Sequence, residues 1–190
     1  MGRDDSMDAV LARTDHVWPD VYQALKDGIK TAIDLHDFIG WDYRDDSHLY
    51  KHMIRRTAVL AIKAHKPDLN PEAEEDEPTL RMSGIILTLK EDLVKVWHVT
   101  PAEISAPTTR AKRSFINQPH SRHFQAGLYD EVRDVVSHFR RPEELNKLIL
   151  RWTVVDHCIS RFDLIRPTGA KKKHIVFEWS DDLLERYQLR

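Results

Sequence analysis

Residues 83–113 read SGIILTLKEDLVKVWHVTPAEISAPTTRAKR, and the period assigned to them decides the fold. Ile85, Ile86, Leu89, Leu93, Val96 and Trp97 recur at helical spacing, while Thr88, Lys90, Glu91, Asp92 and Lys95 fill the other side. That pattern predicts one amphipathic helix. The competing assignment is a hairpin, since residues 85–90 and 93–99 also alternate, but the Lys90, Glu91, Asp92 composition favours helix. Thr100, Pro101 and Glu103 then supply a cap hydroxyl, a proline for the first helical position and a glutamate three residues after the cap, so a second helix is expected to start there. The unit reads as a helix-turn-helix, a motif that often reads DNA. Between Glu103 and Asp130 there is no acidic residue, and Arg110, Lys112, Arg113 and Arg122 make the tract basic.

Upstream, Pro19 opens a helix in which Val21, Tyr22, Leu25, Ile29, Ala32 and Ile33 share one face as far as about Ile39, with Gly40 as the stop. Asp45, Asp46 and Ser47 are cap candidates for a second helix that turns Tyr50, Met53, Ile54, Thr57, Leu60, Ala61 and Ala64 inward and ends before Pro67. The two are expected to form an antiparallel pair, preceded by a short helix around Asp8 to Ala12. Asp68, Glu72, Glu74, Glu75, Asp76 and Glu77 follow with no basic residue among them, and prolines 67, 71 and 78 deny the segment a continuous helix. The expected organisation is a helical pair over residues 1–66, an acidic linker or loop over 67–80, and a helical domain over 81–190 that can pack with the rest as one domain.

Downstream, Leu128, Val132, Val135, Val136 and Phe139 predict a further helix. From Pro142 a longer one is expected, with Leu145, Leu148, Ile149, Trp152, Val155, Ile159 and Phe162 on its stripe, although the β-branched Thr153, Val154 and Val155 also suit a strand. Residues 163–165 and 174–179 flank Pro167-Thr168-Gly169-Ala170 and read as a β-hairpin with Lys171, Lys172 and Lys173 near its tip. Ser180, Asp181 and Asp182 then cap a short terminal helix. The expected fold is mainly α: a multi-helix bundle with a C-terminal β-hairpin and a helix-turn-helix or winged-helix-like portion.

A chain of 190 residues can bury a core without staples. Its single cysteine, Cys158, cannot form an internal bridge and is expected in the core. With no signal-peptide pattern after Met1 and no apolar run near the ~18 residues of a membrane helix, a cytoplasmic protein without a membrane partner is expected. A net charge of -2 excludes coating of nucleic acid by bulk charge, so such contact requires a local patch. Six glycines supply no phosphate-cradling loop, and no cofactor or metal is expected. His48 and His52 have the spacing of two metal ligands on a helix but lack the glutamate of the zinc-protease signature.

A helix followed by a hairpin with a basic tip resembles the winged-helix layout, which implies phosphate contacts for Arg166, Lys171, Lys172 and Lys173 on the wing, and for Arg140, Arg141, Lys147 and Arg151 beside the preceding helix. Residues 99–104 are similar to the turn of bacterial DNA-binding helix-turn-helix proteins. Together these make a non-enzymatic DNA-binding regulator of bacterial or phage type the leading expectation. The alternative is an enzyme: Arg133, Asp134 and His138 match the motif of HEPN-type ribonucleases, all-helical proteins that cut RNA at a homodimer interface. That resemblance implies a phosphate-stabilising Arg133, an orienting Asp134 and His138 as acid or base. Five residues along a helix rotate by about 140°, so such a site would be completed across two chains. His98 and Thr100 resemble half of the paired His-x-Thr motif of 2H phosphoesterases, whose second half is missing. A third expectation is a protein-binding adaptor or inhibitor that engages its partner through the acidic residues from Asp68 to Glu77 or through exposed aromatics such as Trp18 and Trp41.

Overall fold

A computed structural model of the chain describes residues 4–42, 44, 46–66, 71–73 (backbone only), 85–89, 91–99, 115–118, 145–171 and 174–189. Three helices, α1 (Met7–Thr14), α2 (Trp18–Ile39) and α3 (Ser47–His65), precede the strands β1 (Pro71–Ala73), β2 (Ile85–Thr88), β3 (Asp92–His98), β4 (Asn146–Val155), β5 (Cys158–Lys171) and β6 (His174–Asp182), and a short helix, α4 (Leu183–Arg186), follows. The strands form one mixed sheet in the order β1-β2-β3-β4-β5-β6. All neighbours are antiparallel except β3 and β4, which run parallel and therefore need the long connection 99–145 between them.

The mainly α bundle is thus overturned, and with it the helix-turn-helix and the winged helix. Residues 85–98 are the β2–β3 hairpin, with Ile85 opposite Val96 and Leu87 opposite Val94. Those four alternate residues are buried, which is the period of a strand. The expected long helix from Pro142 is β4, a turn and β5. Leu148, Ile149, Leu150 and Trp152 are all fully buried because β4 lies inside the sheet and is covered on both faces, which gives a continuous apolar run that periodicity cannot separate from helix. The turn itself is Asp156-His157, at φ 47° and 64°, a two-residue hairpin loop in which Asp and His take left-handed positions usually marked by glycine. Cys158 follows the turn and is exposed rather than in the core. The expected terminal hairpin pairs as β5–β6, but its register brings Lys171 opposite His174, so Pro167 to Ala170 lie within β5 at a bulged stretch rather than at the turn.

The N-terminal helices start and stop at their sequence signals, but Leu60 and Ala64 of α3, expected inward, are exposed, and Ala58, Val59 and Ile62 are buried instead. Gly40 closes α2 at φ 71°, and Asp46 caps α3 by accepting from the Leu49 N–H at 2.9 Å. Asp182 caps α4 in the same way, accepting from Leu184 and Glu185. One apolar cluster joins Val21, Leu25 and Ile29 of α2 and Tyr50, Ile54 and Ala58 of α3 to Val94, Val96, Leu148, Leu150, Trp152, Phe162 and Leu164 of the sheet. Ile149 and Ile165, pointing the other way, join Ile116, Ile175, Trp97 and Phe115 in a smaller cluster. The helices therefore cover one face, and residues 115–118 of the connection lie on the other.

A buried polar network ties α1 to the helix-covered face. Arg13 donates to both carboxylate oxygens of Asp92 at 2.8 Å, the Asn146 amide donates to Asp92 at 2.7 Å, and the Asn146 carbonyl accepts from Arg166 at 3.0 Å. Arg166 is 2% exposed and also pairs with Glu178 and Asp5. Among the described residues no helix is long and apolar enough to cross a membrane.

Candidate nucleic-acid interface

On the sheet face away from the helices, β3 presents Lys95 and Trp97, β4 presents Lys147, Ile149 and Arg151, β5 presents Arg161, Asp163 and Ile165, and β6 contributes Phe177. Cations and aromatic rings are interleaved there, with Lys95 and Arg151 buried and Lys147 and Arg161 partly exposed. The Lys95 Nζ lies 5.6 Å from the Trp97 ring and 5.7 Å from the Phe115 ring, and the Arg151 guanidinium lies 5.6 Å from the Phe177 ring. Arg151, opposite Trp97 in register, also pairs with Asp163. Burial pushes the Asp163 carboxyl up from its ordinary value, against the opposing pull of Arg151 and Arg161. Phe177 and Val176 are exposed on the edge strand, and Lys171 is exposed at the hairpin end.

The connection is fixed to this face by Gln118. Its Oε1 accepts from the Lys147 N–H at 2.9 Å, while its Nε2 donates to the Lys147 carbonyl at 2.5 Å and the Pro167 carbonyl at 2.8 Å. Pro167 has no N–H to give β4, and the β5 register slips there; the carboxamide fills the gap as a peptide group would. Phe115 and Gln118 thus hold on the face the part of the chain whose sequence neighbours include Arg110, Lys112, Arg113 and Arg122.

Of the residues singled out from sequence, Lys171, Lys147 and Arg151 sit on or beside this face. Arg166 does not: it lies on the helix-covered side, engaged by Asn146, Glu178 and Asp5. Arg110, Lys112, Arg113, Arg122, Arg140, Arg141, Lys172 and Lys173 lie outside the described residues. So do Arg133, Asp134 and His138 of the ribonuclease motif and the acidic side chains from Asp68 to Glu77. HEPN-type proteins are all-helical, whereas the described residues of this chain are built around a sheet. Trp18 is buried, donating its indole N–H to Thr14 at 3.1 Å, whereas Phe38 in the last turn of α2 is 85% exposed and Trp41, just past its end, is 54% exposed. His48 and His52 are exposed on α3, and among the described residues no group of His, Cys, Asp or Glu could hold a metal ion. Sequence reasoning missed Lys95, Trp97 and Phe177. Their signal was the i, i+2 spacing of Lys95 and Trp97, legible only once the stretch is a strand.

A second polar centre lies where β3 ends. His98 packs edge-to-face on Trp152, its register partner on β4, with ring centroids 4.8 Å apart. Burial, then the positive charges of Lys51 and Arg55 on α3, push its imidazole down to about 4. Nearby on α3, the Tyr50 hydroxyl lies 3.3 Å from His157 Nδ1, and the Tyr50 ring also packs edge-on against buried His36.

No protein-family model, no curated protein and no solved structure matches this chain.

Proposed function

We propose that the protein is a non-enzymatic nucleic-acid-binding protein that takes single-stranded nucleic acid on the sheet face opposite its helices. The observation that supports this most directly is the exposed Phe177 ring on the face that also carries the partly exposed Trp97, Phe115, Lys147 and Arg161. Rings offer stacking surfaces to bases of any identity, each worth about 1–3 kcal/mol, and neighbouring cations neutralise phosphates. Sheet faces of this kind suit unpaired bases, which can splay flat on them; a duplex keeps its bases stacked inside. Residues 115–118, which lie on this face, belong to a stretch of sequence between Glu103 and Asp130 that holds basic but no acidic residues.

The test is fluorescence anisotropy with labelled single-stranded DNA, single-stranded RNA and duplex DNA at two salt concentrations. Single strands are expected to bind more tightly than duplex, with affinity falling steeply with salt. Phe177→Ala should weaken single-strand binding about tenfold, one stacked base, while charge reversal of Lys171, Lys172 and Lys173 should weaken all three ligands alike. Absence of binding at low salt, or a Phe177→Ala variant that binds as the wild type does, would remove the proposal.

A further inference from the structure

The C-terminal end of α2 carries large apolar side chains that the core does not use. We propose that it docks a basic segment of a partner protein: apolar parts of the segment cover Phe38, Ile39 and Trp41, and its cations stand beside Asp34 and Asp37.

Helix geometry sets the place. α2 buries Leu25, Ile29, Ala32 and His36, and Asp34 and Phe38 each stand two residues on from a buried one, a rotation of about 200° that turns them to solvent. Asp34 is the surface neighbour of both Asp37, three residues on, and Phe38, four residues on. Phe38 is 85%, Ile39 39% and Trp41 54% exposed. Single apolar residues on a surface are ordinary, whereas three large ones within four positions form a patch of the kind that marks an interaction site. The backbone under it is fixed. Gly40, at φ 71°, donates its N–H to the Asp37 carbonyl at 3.2 Å, and the Trp41 N–H donates to the His36 carbonyl at 2.9 Å, the paired bonds of a Schellman close. A surface held in this way loses little freedom on binding.

Charge selects the occupant. Residues 34–46 hold Asp34, Asp37, Asp42, Asp45 and Asp46, and Arg44 is the one lysine or arginine among them. Arg44 already pairs with Asp42 at 3.9 Å, and Asp46 is engaged as the cap of α3. Asp34 and Asp37 are exposed, and among the described residues neither carboxylate has an ion pair or a hydrogen bond. An acidic surface repels nucleic acid and the anionic leaflet of a membrane alike. A second copy seated about a two-fold axis would bring the same carboxylates against each other. A basic segment meets both halves of the patch, because lysine and arginine lay their aliphatic stems on apolar surface while their heads reach carboxylates, and arginine also stacks on aromatic rings. α2 covers the face of the sheet opposite to Phe177, so this surface is independent of the nucleic-acid reading.

The test selects short random peptides, displayed on phage, against the immobilised full chain, with counter-selection on the Phe38→Ser/Trp41→Ser double variant. Enriched peptides are expected to carry Arg or Lys beside Leu, Ile or aromatic residues. A synthetic copy measured by calorimetry should bind Phe38→Ser and Trp41→Ser each about tenfold more weakly than the wild type. Asp34→Asn and Asp37→Asn should each weaken it several-fold, and the double Asn variant should show a shallower salt dependence. None of these side chains belongs to the core, so unchanged thermal melting in every variant would separate docking from folding. No enrichment over the double Ser variant, enriched peptides without basic residues, or binding indifferent to Asp34→Asn and Asp37→Asn would overturn the proposal. Flotation with phosphatidylserine vesicles that Trp41→Ser abolishes would overturn it in favour of a membrane, and a dimer in sedimentation that Trp41→Ser abolishes would overturn it in favour of a second copy. Loss of nucleic-acid binding in the anisotropy experiment leaves each of these outcomes as it stands.

Discussion

The carboxamide of Gln118 and the peptide of Lys147 bond as two strand residues would, although Gln118 belongs to the connection and Lys147 to β4: the Lys147 N–H donates to Oε1 at 2.9 Å, and Nε2 donates back to its carbonyl at 2.5 Å. The pairing exists because Pro167 of β5 cannot donate. Gln118→Ala leaves the Lys147 N–H and two carbonyls without these partners and is expected to cost about 1–3 kcal/mol. Gln118→Glu keeps the acceptor but loses the donor, so it should fall between the two. Amide exchange at Lys147 checks this directly: it should accelerate strongly in Gln118→Ala and least in Gln118→Glu. Unchanged protection would mean that the carboxamide contributes nothing to the ladder.

Arg13 and Asp92 tie α1 to the sheet. Asp92 is 1% exposed and accepts from both arms of the Arg13 guanidinium and from Asn146. Removing the carboxylate takes from Arg13 its nearest anion, leaving it Asp5 at 3.5 Å and Glu91 at 3.9 Å, and breaks the chain of bonds through Asn146 to Arg166, so Asp92→Ala should cost about 1–3 kcal/mol. Arg13→Ala should cost a similar amount, because it leaves Asp92 buried. A double-mutant cycle in urea should show strong coupling; additive losses would contradict the pairing.

How much of this was legible depends on whether local signals decide the element. The helices were, since Pro19, Gly40, Asp46 and Asp182 are start and stop residues whose chemistry acts within one turn. The sheet was not. Ile85, Ile86, Leu89, Leu93, Val96 and Trp97 fit a helical stripe as well as Ile85, Leu87, Val94 and Val96 fit two strands, and only pairing with β4 decides between them. Asp156 and His157 make a turn without glycine, so Leu145 to Phe162 read as one helix. The candidate face followed the same error: Lys171 was visible as a charge at a hairpin end, but Lys95, Trp97, Arg151 and Phe177 become neighbours only across four strands. Gln118 carried no sequence signal at all, because its role is created by a proline 49 residues away.

Gly28 of α2 packs against the backbone of α3 at Ile54. A Cβ added there would lie 2.5 Å from the Ile54 carbonyl oxygen, a backbone atom that cannot swing aside. Gly28→Ala would normally stabilise a helix by about 1 kcal/mol. Here the clash forces the helices apart and should reverse the sign, with a net loss of about 1–3 kcal/mol in thermal or urea unfolding. A stabilised Gly28→Ala variant would show that the two helices do not pack at this distance.

His98 gives the fold a pH dependence whose sign follows from its surroundings. Folding lowers its pKa from 6.5 to about 4, through burial first and then through Lys51 and Arg55. Between those values the unfolded chain holds the proton that the folded chain refuses, so stability falls as pH drops from 6.5 towards 4 and is unaffected above that window. The full shift corresponds to about 3 kcal/mol, and partial exposure of the ring reduces the expected loss to about 1–2 kcal/mol. Asp163 acts the other way: with its pKa raised, it takes its proton earlier in the folded state and favours the fold on acidification. The comparison of wild type with His98→Phe cancels that contribution. Urea unfolding in phosphate-free buffer at pH 7, 6 and 5 should show the wild type losing more stability than His98→Phe, and Lys51→Met should lie between them because one of the two repelling charges is gone. Parallel losses in all three would mean that His98 titrates as it does in the unfolded chain.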